Sequence, residues 1–152
     1  QGAHASGRGG LANDQSILGG GGDGRSHANR GTDRDVDGGA GDDVVFGGNG
    51  ADTLHGGLGN DVIVGGAGFD TIDAGPGNDT VYGGPAGNTI LGGDGDDFLQ
   101  GSPRRNRIGA GTGHDTSSRG GSGPTTVLRG PGAALRVRAA PRRIRGRDRH
   151  DR

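Results

Sequence analysis

Between residues 38 and 100 an aliphatic side chain recurs every nine positions, at Val45, Leu54, Ile63, Ile72, Val81, Ile90 and Leu99. Each stands in the middle of a triplet that follows an Asp or Asn, and each triplet is preceded by small residues, mostly glycine. Seven units fall in phase: GGAGDDVVF, GGNGADTLH, GGLGNDVIV, GGAGFDTID, AGPGNDTVY, GGPAGNTIL and GGDGDDFLQ. A triplet is long enough for a very short strand, in which the middle side chain points opposite to its neighbours. Position eight therefore faces inward, and the seven aliphatic residues are the expected core stack.

Each unit makes one turn and one strand, so two units complete a coil and residues eighteen apart stack at about 4.8 Å. Consecutive units then lie on opposite sides, and the residues at position six divide into two ladders. One holds Asp43, Asp61, Asp79, Asp97 and, after a damaged unit, Asp115; the other holds Asp52, Asp70, Asn88 and Asn106.

Composition argues against a conventional domain. Only 26% of the 152 residues are hydrophobic while 40 are glycine, so a broad packed core is out of reach. Each glycine also adds to the entropy cost of folding. Ligands that bind only the folded state supply the missing free energy, about 1.4 kcal/mol for one site at ten times its dissociation constant. There is no Cys, hence no disulfide framework and no thiolate site. No stretch approaches the ~20 apolar residues of a membrane span.

The formal charge of -1 hides a strong asymmetry: residues 38–100 hold ten Asp and no Arg, whereas residues 101–152 hold thirteen Arg and three Asp. The basic tail lacks both the aromatics of a nucleic-acid stacking platform and a periodic apolar face, so nucleic acid is not the expected partner. Catalytic patterns are missing as well. His4, His27, His55, His114 and His150 form no HExxH, and without Cys or Glu the usual zinc-enzyme sets are absent.

The glycine-Asp-aliphatic nonapeptide resembles that of the RTX family, the repeats-in-toxin or haemolysin-type calcium-binding proteins of bacteria. The resemblance implies an all-β fold, a right-handed parallel β-roll, in a secreted, extracellular bacterial protein that binds several Ca²⁺ ions and folds around them. Ca²⁺ takes six to eight oxygens, carboxylate and carbonyl together. The implied ligands are the carboxylates of Asp43, Asp52, Asp61, Asp70, Asp79, Asp97 and Asp115. To these it adds the turn carbonyls of Gly38, Gly39, Gly41, Gly47, Gly48, Gly50, Gly56, Gly57, Gly59, Gly65, Gly66, Gly68, Gly75, Gly77, Gly92, Gly93 and Gly95. Asn88, Asn106 and the broken turn Pro85-Ala86-Gly87 depart from the pattern, so the second ladder is expected to weaken beyond Asp70. The alternative is that the chain is part of an extracellular RTX enzyme or toxin whose catalytic domain lies elsewhere.

Three stretches follow from the repeat: degenerate repeats or an irregular flank over 1–37, a roll over 38–128 (regular to 100, decayed from 101), and an Arg-rich tail over 129–152 expected to be disordered. Sorting outward positions seven and nine by sheet predicts one greasier face, with Val44, Phe46, Val62, Val64, Tyr82 and Phe98. A contiguous apolar patch of this kind suits self-association or a protein partner, with Phe46, Val64, Tyr82 and Phe98 at its centre.

Overall fold

The computed structural model describes residues 6–8, 17–32, 35–118, 126–128 and 136–138, and every regular element among them is a β-strand. Numbered in chain order, the odd strands β1 (Ser6–Arg8), β3 (Arg25–Arg30), β5 (Val44–Asn49), β7 (Val62–Ala67), β9 (Thr80–Tyr82), β11 (Phe98–Gln100), β13 (Thr116–Ser118) and β15 (Arg136–Arg138) form one sheet in that order. The even strands β2 (Ile17–Gly21), β4 (Val36–Ala40), β6 (Thr53–Leu58), β8 (Thr71–Pro76), β10 (Thr89–Asp94), β12 (Arg107–Thr112) and β14 (Thr126–Leu128) form the other. All pairings are parallel, so the chain is the parallel β-solenoid that its period implied. No helix among the described residues is long and apolar enough to cross a membrane.

Register within the regular block follows the eighteen-residue coil: Val45 pairs with Ile63, Ile63 with Val81 and Val81 with Leu99 on one sheet, while Leu54 pairs with Ile72 and Ile72 with Ile90 on the other. All seven position-eight side chains are fully buried, as expected, and Val36 and Ile108 extend the stack. The core is thus a single double row of aliphatics between two sheets, which is what 26% hydrophobic residues can furnish.

The coil persists beyond the regular block by absorbing insertions. Upstream, Arg25 pairs with Val44 and Ile17 with Val36, nineteen residues apart; downstream, Arg107 pairs with Thr126 and Thr116 with Arg136. The core row thins there: Ser26 and Ser117 take inward places, and the Ser117 hydroxyl is buried without a hydrogen-bond partner. Of the Arg-rich tail, Arg136–Arg138 pair with β13, and its other residues lie outside the described residues.

Candidate metal-binding turns

Two edges of the roll carry the turns between sheets. A turn must reverse the chain within six residues and still hydrogen-bond to the coils above and below. Backbone groups do part of this: the N–H of Gly41, Gly77 and Gly95 donates to the carbonyls of Leu58, Asp94 and Thr112 at 2.7–2.9 Å. Positions two and four carry the tightest constraint. At Gly57 φ is +110°, and a Cβ there would lie 1.9 Å from the carbonyl oxygen of Gly39 on the neighbouring coil. The same positive φ holds at Gly39, Gly41, Gly48, Gly50, Gly59, Gly66, Gly68, Gly75, Gly77, Gly93 and Gly95, so glycine is required for backbone reasons alone.

Position six closes each turn, and its side chain is buried in every coil. On the first edge one carboxylate oxygen, Oδ1, accepts the N–H of the preceding coil's residue: Gly24 to Asp43 (2.6 Å), Asp43 to Asp61 (2.8 Å), Asp61 to Asp79 (2.7 Å), Asp79 to Asp97 (2.9 Å) and Asp97 to Asp115 (3.1 Å). The second edge repeats this from Asp52 to Asp70 (3.0 Å), Asp70 to Asn88 (2.8 Å) and Asn88 to Asn106 (3.0 Å). Both ladders expected from the nonapeptide are therefore assembled, Asp52 included.

The other oxygen has a different fate. In Asp43, Asp61, Asp70, Asp79, Asp97 and Asp115, Oδ2 is buried and receives no hydrogen bond. It turns back over the first residue of its own turn, close to Gly38, Gly56, Gly65 and Gly92 for Asp43, Asp61, Asp70 and Asp97, with Asp52 likewise over Gly47. Ala74 and Ala110 take this first place in the Asp79 and Asp115 turns, so a methyl group is accommodated there.

A buried anionic oxygen without a donor costs several kcal/mol unless a cation or a proton compensates it. Burial accordingly pushes the carboxyls up, Asp61, Asp70 and Asp97 to about 6 and Asp79 to about 7. The ladder hydrogen bonds oppose this and neighbouring carboxylates reinforce it. Asp43 is raised for the same principal reason.

Carboxyls whose folded pKa exceeds the unfolded value of about 3.9 favour folding when protonated. Without metal their contribution is fully present below that value and is lost as pH rises through about 6–7. The chelated chain should therefore show more β-structure by circular dichroism at pH 5 than at pH 8, while calcium, competing with protons, should be needed at higher concentration at pH 5. β-content in chelator that rises with pH would contradict this.

Among the described residues, no three His or Asp side chains converge as a metal cluster. An ion in these turns would draw on backbone carbonyls as well as carboxylates, in keeping with the hard-oxygen chemistry of calcium. The orphaned Oδ2 atoms fit such an ion.

A feature not extracted from the sequence lies one residue earlier. At position five the first edge carries a second, exposed ladder running the opposite way: the N–H of Asp42 donates to Asp23 (3.0 Å), Asn60 to Asp42 (2.7 Å), Asn78 to Asn60 (2.8 Å), Asp96 to Asn78 (2.8 Å) and His114 to Asp96 (2.8 Å). The signal was present once the units are sorted by edge, since the second edge has Ala51, Phe69, Gly87 and Arg105 there. The outer carboxylates thus have a structural role of their own, holding the backbone of successive turns.

Among known proteins, no curated protein matches the chain. The RTX calcium-binding nonapeptide repeat matches it in four copies, over residues 18–54, 27–63, 55–90 and 82–117. The matched spans contain the glycine turns and the position-six residues from Asp43 to Asp115. The chain belongs to the family of RTX calcium-binding nonapeptide repeat proteins.

Proposed function

We propose that the chain is a calcium-driven folding module, stabilising or spacing a secreted bacterial protein. Its ligands are the position-six carboxylates of Asp43, Asp52, Asp61, Asp70, Asp79, Asp97 and Asp115 together with carbonyls of the turn glycines. The observation that carries this reading is the row of buried carboxylate oxygens without hydrogen-bond donors. Ten Asp and no Arg in residues 38–100 repel one another until cations neutralise them. In chelator near pH 8 the chain is expected to be largely disordered and to gain β-structure cooperatively as calcium reaches about 10⁻⁴–10⁻³ M, the range of extracellular modules. Magnesium, which dehydrates reluctantly and prefers octahedral sites, should substitute poorly. Equal β-content in chelator and in excess calcium would overturn the proposal. The chain itself carries no catalytic constellation in this reading, and its role is structural.

The apolar face belongs to the same reading as a docking surface. Register sets Val44, Val62, Thr80 and Phe98 in one outward row and Phe46, Val64, Tyr82 and Gln100 in the other. His27 stacks on Phe46 with ring centroids 4.5 Å apart, and Tyr82 lies 6.1 Å from Phe98. Replacing Phe46, Val64 and Tyr82 together by Thr keeps strand propensity while removing the patch. Folding in calcium should survive and association should fall. Sedimentation that shows a monomer both before and after the change would rule out self-association.

A further inference from the structure

Two turns of the second edge differ from the rest in the atom they place at the site. In Asn88, Oδ1 accepts the Asp70 N–H as an Asp would, but the other branch is a donor: Nδ2 bonds to the carbonyl oxygens of Gly83 at 2.6 Å and Ala86 at 3.2 Å. In Asn106, Nδ2 donates to Ser102 and Arg104 carbonyls, both at 2.9 Å, while Oδ1 accepts the Asn88 N–H and, at 3.2 Å, the Ser102 hydroxyl. The network fixes each amide's orientation, because oxygen faces donors and nitrogen faces two acceptors.

The nitrogen stands where the orphaned oxygen stands elsewhere. A Cβ at Gly83 would lie 2.8 Å from Asn88 Nδ2, just as one at Gly65 would lie 2.6 Å from Asp70 Oδ2. Other changes collect in the same two turns. Ala86 and Arg104 replace the position-four glycine, and the strands leading into them, β9 and β11, end after three residues. Arg105 takes the position-five place that Asp42, Asn60, Asn78 and Asp96 hold on the first edge, and a guanidinium there would oppose a nearby cation.

We propose that Asn88 and Asn106 are built-in substitutes for calcium, their amides tying together the turn carbonyls that an ion would otherwise bridge. The inference rests on the calcium-binding reading and refines it. Ions then line the whole first edge, while on the second they are confined to the turns of Asp52 and Asp70, and the remainder is closed by the chain itself.

The test compares the whole chain with Asn88→Asp, Asn106→Asp and the double variant. In the folded wild type, nuclear magnetic resonance should show slow deuterium exchange of both Asn side-chain amides. Native mass spectrometry should count more bound calcium in the double variant than in wild type, and the variant should need more calcium to fold. Rapid amide exchange, or an unchanged ion count, would overturn the proposal. A wild type that binds no calcium would instead refute the proposed function, and the exchange rates, read under whichever conditions the chain folds, would still decide the amide seal.

Discussion

Asp79→Ala is expected to raise the calcium midpoint for folding about tenfold, equivalent to about 1.4 kcal/mol for each ion taken up on folding. Asp79 sits in the middle of the first edge, with Asp61 on one side of it and Asp97 on the other, so its carboxylate can serve ions both above and below. Its loss also strips the Asp61 N–H of its acceptor. Asn88→Ala should behave differently. It removes the amide's bonds to Gly83, Ala86 and the Asp70 N–H, which lowers urea stability at every calcium concentration. Because no ion is lost with it, the calcium midpoint should move much less. Comparable calcium midpoints for the two variants would reject the division of the position-six residues into unequal edges.

The second large effect is expected from Gly66→Ala. Gly66 has φ +100°, and a Cβ there would lie 2.1 Å from the backbone oxygen of Gly48 on the adjacent coil. Neither atom belongs to a flexible side chain, so the coils must separate. A loss on the order of 3 kcal/mol follows from the strained φ and the clash together. Gly65→Ala, one residue away, is the informative contrast. Its Cβ would approach Asp70 Oδ2 and the Gly83 carbonyl, both at 2.6 Å, yet Ala74 and Ala110 already occupy the equivalent first place in other turns. It should therefore be mild. Urea midpoints in saturating calcium would show this, and equal losses at the two positions would contradict the geometric account of the turns.

What could be read from the sequence was whatever repeats with the period of the coil. Val45 through Leu99 announced the core because an inward position in a two-sided coil must be apolar every nine residues, and all seven are buried. The two ladders followed from the same period, and the hydrogen bonds from Asp43 to Asp61 and from Asp52 to Asp70 join them as expected. Atomic direction was not legible. Asn88 and Asn106 stood out as departures from the nonapeptide at position six, but what the donor branch of each amide does depends on the turn carbonyls around it, which only the fold places. The exposed ladder of Asp42, Asn60, Asn78 and Asp96 was hidden for a related reason, since the motif leaves position five open. Insertions also obscured the ends: nineteen residues separate Arg25 from Val44, which breaks the sequence phase while the parallel pairing persists.

Anomalous diffraction from crystals grown in calcium tests most directly whether the buried position-six carboxylates hold the ion. The predicted result is a line of calcium peaks along the first edge, beside Oδ2 of Asp43, Asp61, Asp79, Asp97 and Asp115, with a shorter line at Asp52 and Asp70. Peaks confined to the exposed Asp42 and Asp96 row, or no ordered calcium in a folded roll, would contradict it.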